Sequence, residues 1–324
     1  MTKLLIGWVL LLTPVLARAQ SEKLYVSNEG GRSITVIDTR TNSVVRTIPV
    51  GQRARGISVS PNGRRVYVAL SDEIPMRESA GDRIDVIDVA SGKVTARFRS
   101  GSDPEQFGIT PDGRTIYASN EDAGTASAID VNTGKVIASM IVGIEPEGVA
   151  ISPDGRWAYV TAETSNTVSV IDTRSNKVVS TFLVDVRPRA ATFSPDGRRA
   201  YVSAEVGGSI TVVDVSKQAP VSTIPLERGE GKPVGVVVSR DGKWLYAANG
   251  RSSTVSIVDL TLGKPVASIP VGHRPWGIAL SHDGRRLYTA NGLSNDVSVV
   301  DITTRKVIAT IKVGVRPWGV AIGR

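Results

Sequence analysis

The 324-residue chain is 41% hydrophobic and 22% charged, a balance that excludes a disordered polymer and can fill a large buried core. It has no cysteine, which excludes disulfides, thiolate nucleophiles, cysteine-ligated zinc and c-type haem attachment. Its formal charge of +8 points to acidic ligands or surfaces as partners.

The chain opens with "MTKLLIGWVLLLTPVLARAQ". Lys3 supplies a positive start, Leu4 to Leu16 an apolar run too short to span a bilayer comfortably, and Ala17-Arg18-Ala19 a small-residue cleavage site. This predicts a signal peptide over residues 1–19 and an exported, periplasmic protein over 20–324. Without Lys3 and Arg18 the chain keeps 37 basic and 31 acidic side chains.

From Tyr25 onward the chain repeats itself. The seven tyrosines, from Tyr25 to Tyr288, are spaced 42, 50, 42, 42, 45 and 42 residues apart. Seven aspartates, from Asp38 to Asp301, each close an apolar run such as "SITVID". One unit, Gly277 to Gly319, reads as a strand "GIALS", a turn "HDG", then strands "RLYTAN", "DVSVVD" and "KVIATIKV". The turn recurs as "SPNG", "TPDG", "SPDG" or "SRDG", with glycine where the backbone angle turns positive. The spacing of 50 marks an insertion, Ser71 to Arg83. No segment has a sustained helical period.

Four antiparallel strands every 42 or so residues predict an all-β, seven-bladed β-propeller. The chain enters at a second strand, "KLYVSN", and ends in a first strand, Gly319 to Gly323. These ends complement each other, predicting a composite blade of three N-terminal strands and one C-terminal strand. The propeller is expected to be a monomer.

In such a fold the "RPWG" segments ring one mouth of the channel and the "DG" turns occupy the other face. Acidic residues Asp103 to Glu147 come from two neighbouring blades, leaving an arc of Arg187, Arg189, Lys232, Arg274 and Arg316 with only distant carboxylates. Trp276 and Trp318 lie beside it, and Phe107 adds aromatic surface. The second-to-third strand loops bring Glu29, Glu121, Glu163 and Glu205, with Asn28, Asn120, Asn249 and Asn291. Arginine can hold a carboxylate bidentately and tryptophan can stack on a planar ring, so the arc and both tryptophans form the candidate site for a flat anion. The competing reading pairs Arg with Glu across blades and packs Trp between them. The seven "VID" aspartates read as turn caps. No catalytic residue is read and no metal ligand set is assigned, a calcium site built of mouth carboxylates staying open as an alternative. His273 and His282 fall on opposite faces, and no G-x-S-x-G or H-E-x-x-H occurs.

The segments "YVSN", "YVTA", "YAAN" and "YTAN", followed by "VSVID" and K-V-x-x-x-I-x-V-G-x-x-P-x-G, resemble the YVTN-type β-propeller repeat across the whole mature chain. "SDPEQFGITPDG" and "SDEIPMRESAGDRIDVID" resemble the exported seven-repeat propellers associated with pyrroloquinoline quinone (PQQ)-dependent alcohol catabolism. The resemblance implies a seven-bladed binding or accessory protein that is not itself an enzyme. Its implied partners are a periplasmic PQQ-dependent dehydrogenase or its cytochrome, or a small anionic ligand. PQQ, a planar tricarboxylate, suits the arc and heads the candidate cofactors. The alternatives are a propeller enzyme, either a lactonase-like hydrolase or a quinoprotein, and a nucleic-acid-binding propeller, against which the export signal argues.

Overall fold

A computed structural model describes residues 22–73, 79–226 and 231–323. The signal peptide expected over residues 1–19 and part of the Ser71 to Arg83 insertion lie outside the described residues.

The described residues form seven four-stranded antiparallel sheets. β4 (Arg53–Val59), β5 (Arg65–Ser71), β6 (Arg83–Asp88) and β7 (Val94–Arg99) make the first complete blade. The second to sixth blades span 104–141, 146–183, 188–225, 233–270 and 275–312. In the sixth, β24 (Pro275–Leu280), β25 (Arg286–Asn291), β26 (Asp296–Asp301) and β27 (Lys306–Lys312) follow the repeat unit read from the sequence. The seventh sheet is composite: β28 (Pro317–Gly323) pairs with β1 (Lys23–Asn28), followed by β2 (Ser33–Asp38) and β3 (Ser43–Pro49). Tyr25 lies opposite Ala321 and Leu24 opposite Ile322, so the two ends close the ring.

The burial pattern explains the sequence pattern. Second and third strands are buried along nearly their whole length, as in "RLYTAN" and "DVSVVD", because both faces of a blade pack against neighbours. Outer strands such as "KVIATIK" are mostly exposed. The described core falls into seven apolar clusters, each shared by adjacent blades. All seven repeat tyrosines are buried in them. Phe107, expected at the mouth, also belongs here, packed between the first and second complete blades.

The turns are built by side chains. In "TPDG", Thr110 Oγ1 donates to Asp112 Oδ1 at 2.6 Å, and that oxygen accepts Arg114 N–H at 3.0 Å. Gly113 follows at φ +70°, in the left-handed region. The "VID" aspartates cap the next turn: Asp172 Oδ1 accepts the N–H of Arg174 at 2.9 Å and of Ser175 at 3.2 Å. These aspartates serve the repeat. No helix among the described residues is long and apolar enough to cross a membrane.

Candidate functional site

Each first strand breaks register with its second strand at the mouth end. The break lies between Ala54 and Ile57 in the first complete blade, between Pro188 and Ala191 in the fourth, and at matching places in the others. A bulge re-aims the extra side chain. One residue per blade is thereby placed at the break: Arg55, Glu105, Glu147, Arg189, Val234, Trp276 and Trp318. All but Val234 line a cavity of about 420 Å³ at the mouth.

The residue after each of these, Gln106 excepted, is glycine or alanine for a packing reason. A Cβ on Gly148 would stand 2.4 Å from Arg189 O, and one on Gly235 would stand 2.4 Å from Trp276 O. The first strands approach too closely for a side chain. Hydroxyls of the second strands stitch the same carbonyls. Ser27 Oγ donates to Arg55 O at 2.5 Å, Ser119 Oγ to Glu147 O at 2.6 Å and Ser203 Oγ to Val234 O at 2.6 Å.

Two arginine-centred networks fill much of the mouth. Arg189, buried, pairs with Glu163, with Glu205 at 2.7 Å and with Glu147 at 3.2 Å. Arg187 stands 2.7 Å from Glu163 and 3.5 Å from Glu205. On the other side Arg55 pairs with Glu105, with Glu29 at 3.3 Å and with Glu121 at 3.5 Å, while Arg53 holds Asp103 at 3.0 Å. Asp103, Glu105 and Glu121 have carboxylate oxygens within 4.8 Å of one another, and Arg55 meets their charge. The expectation that the basic arc faces only distant carboxylates therefore fails. The loop glutamates Glu163 and Glu205 reach across and satisfy Arg187 and Arg189. These pairs follow the competing reading, in which arginines of the first strands meet glutamates of the second-to-third strand loops.

The rest of the arc is placed unevenly. Lys232 does not line the cavity; its Nζ donates to Val206 O at 3.0 Å. Arg274 and Arg316 both line it and are exposed. Arg316 lies 3.9 Å from Glu29, and Arg274 has no carboxylate partner among the described residues. Both have left-handed backbones, φ 56° and 52°, as do Asp103, Glu145 and Arg187 at equivalent positions. The Arg316 N–H is held by Asn295 Oδ1 at 2.8 Å, so the strained lip is fixed from the neighbouring loop. Trp276 and Trp318 pack with ring centroids 5.9 Å apart. The guanidinium groups of Arg189 and Arg274 lie 5.1 and 5.0 Å from the Trp276 ring centre.

Asn28, Asn120, Asn249 and Asn291 are buried and do not line the mouth. Asn291 Nδ2, for example, donates to Asp296 Oδ1 at 2.8 Å and Ser298 Oγ at 2.9 Å within its own blade.

The feature the sequence reading did not single out is Glu147. Burial pushes its carboxyl up to about 7, against the pull of Arg189, and the charge of Glu121 adds to the rise. Burial also raises Glu121, with Arg55 offsetting it. The signal was present in "EPEG": the residue before a first-strand glycine is the bulge residue, in the register of Arg189 and Trp276.

Two family models match the chain. One, described as "Lactonase, 7-bladed beta-propeller", matches residues 185–312, and a "YNCE-like beta-propeller" model matches residues 66–194. No curated protein matches. Among solved structures, Kuenenia stuttgartiensis hydrazine synthase is similar at 25% identity and TM-score 0.77, over 86% of this chain and 92% of that one. A functionally unknown protein from Desulfotomaculum acetoxidans is similar at 21% identity and TM-score 0.78, over 93% and 99%. A provisionally assigned 6-phosphogluconolactonase from Bacteroides uniformis is similar at 18% identity and TM-score 0.78, over 94% and 100%. The last two likenesses are of fold alone.

Proposed function

We propose that the protein is an exported binding or accessory propeller that takes a small flat anion at its channel mouth, in the service of PQQ-dependent alcohol oxidation. The observation that carries this reading is the contrast among the mouth arginines. Arg55, Arg187 and Arg189 are held by carboxylates, whereas Arg274 and Arg316 stand exposed at the lip beside Trp276 and Trp318. A ligand carboxylate would meet those two guanidinium groups. PQQ, a planar tricarboxylate, is the candidate ligand, and a periplasmic PQQ-dependent dehydrogenase or its cytochrome the candidate partner. Arg187 and Arg189 line the same cavity with their charge already met by Glu163 and Glu205, and Lys232 lies outside it. In this reading the native protein begins near Gln20 and lies outside the inner membrane.

Titrating PQQ while following tryptophan fluorescence tests it. The Arg274→Ala, Arg316→Ala double variant should keep its fold and lose about 1.5–3 kcal/mol per charged hydrogen bond removed. Absence of binding by the unaltered protein at millimolar PQQ would reject the cofactor. Equal binding by both would move the site.

A second reading, a lactonase-like hydrolase, is favoured by Glu147. A carboxyl that changes protonation near neutral pH, in a cavity lined by arginines, can take a proton from water attacking an ester carbonyl. The lactonase family model and the provisionally assigned phosphogluconolactonase fold add weight to it. Hydrolysis of a sugar lactone that disappears in Glu147→Gln would select this reading. Ligand binding without turnover would select the first.

A further inference from the structure

The channel's other face carries a second pattern, unrelated to the mouth. In each complete blade the residue after the turn glycine is a cation: Arg64, Arg114, Arg156, Arg198, Lys243 and Arg285. All six are exposed. In every case its own N–H donates to the side-chain oxygen of the turn Asn or Asp at 3.0–3.1 Å. The same bond in six blades starts all six side chains from equivalent points around the ring, so they share one plane across the channel axis. The turn carboxylates are drawn into backbone and hydroxyl bonds, as Asp112 and Asp196 show. These carboxylates stay ionised and offset part of the charge, standing 4.0 Å from Arg114 and 3.9 Å from Arg198, but Arg65, Arg199 and Arg286, next along the chain, add further cations. At the mouth, by contrast, arginines and glutamates pair closely. Taken together with the "VID" turns, which share this face and carry an aspartate each, the turns of this face hold more basic than acidic side chains.

Two half-buried tryptophans, each packed on one side against a core cluster, stand next to this ring in the chain. Trp157 and Trp244 follow Arg156 and Lys243 directly, with Arg156 4.4 Å above the Trp157 ring and Arg305 5.9 Å above the Trp244 ring. Indoles beside cations are the side chains that settle at a lipid–water boundary.

We propose that the turn face docks the protein on an anionic lipid bilayer. The ring of six cations meets headgroup phosphates, Trp157 and Trp244 lie at headgroup depth, and the mouth opens away from the membrane. A flat, net-basic face fits a planar surface, whereas a nucleic-acid duplex would touch only part of the ring. Each basic side chain near such a surface contributes about a fivefold gain in partitioning, and salt screens it.

The test uses the protein beginning at Gln20, so that the apolar N-terminal segment does not contribute. It should sediment with vesicles containing about one-third phosphatidylglycerol, not with pure phosphatidylcholine, and added salt should release it. Brominated phosphatidylglycerol should quench its fluorescence, and less so in Trp157→Phe, Trp244→Phe. Reversing Arg64, Arg114, Arg198 and Arg285 to Glu should weaken binding more than about a hundredfold. Arg274→Ala, Arg316→Ala should bind vesicles as the unaltered protein does. Failure to bind anionic vesicles at low salt, or equal binding by the reversed variant, would overturn the proposal. Displacement from vesicles by duplex DNA at equal phosphate concentration would overturn it in favour of nucleic acid. Should the reversed variant misfold, the lipid and salt dependence of the unaltered protein decides.

Discussion

Glu147 shows how one side chain can report the mouth's electrostatics. Its carboxyl is raised from an ordinary value of 4.5 to about 7, burial being the larger cause and Arg189 the opposing one. A carboxyl raised in the folded state binds its proton more tightly there than in the unfolded chain. Its contribution to stability is therefore full below about pH 4.5 and is lost as pH rises through about 7. The melting temperature should fall over that interval, and Glu147→Gln should flatten that part of the profile while Glu163 and Glu205 continue to hold Arg189. A Glu147→Gln profile as steep as the parent's would assign the pH dependence elsewhere. In the sequence Glu147 was legible as one of the acidic residues of two neighbouring blades, placed before the glycine of "EPEG", but not as the one whose carboxyl is raised. Its singularity comes from burial and from Glu121, which belongs to another blade.

At the scale of the element, the bulged first strand joins fold to site. The break in register turns a side chain toward the mouth in all blades but that of Val234, and the glycine or alanine that follows in all but the blade of Gln106 lets neighbouring strands close on it. Gly235→Ala would place a methyl 2.4 Å from Trp276 O, which is backbone and cannot rotate away. The expected cost is about 1–3 kcal/mol, measured by denaturant titration, together with a shift in the Trp276 fluorescence. Gly263→Ala makes the comparison: it has a positive φ but open space around it, so it should strain its turn without changing that emission. The "RPWG" phrase marks these strands in the sequence, but the bulge does not follow from the phrase. It depends on pairing with a second strand, which local sequence leaves undetermined.

For the whole molecule, closure is the decisive contact. Residues Lys23, Leu24, Tyr25 and Val26 pair with Gly323, Ile322, Ala321 and Val320 across nearly the full length of the chain. Deleting Val315 to Arg324 would remove the inner strand of the composite blade and expose two sheet faces packed in the ring. Loss of cooperative melting is expected, not a small downward shift. A truncated protein that melts like the full chain would show that the ring does not depend on β28.

The sequence by itself determined the propeller, because that architecture is written seven times. Tyr288 and its counterparts, the "DG" turns and the complementary ends specify strand order, blade number and closure through short-range patterns. It also determined the "VID" aspartates as turn caps, since their bonds run to N–H groups two or three residues on. Only the tertiary structure decided the charge pattern. Arg187 meets Glu163 from the preceding blade, whereas Arg274, at the lip, has no carboxylate partner among the described residues, so cations that look alike in the repeat part company in space. The physical reason is range. Turns and strand pairing within a blade are local, whereas the field at the mouth sums side chains from all seven blades and depends on which of them are buried.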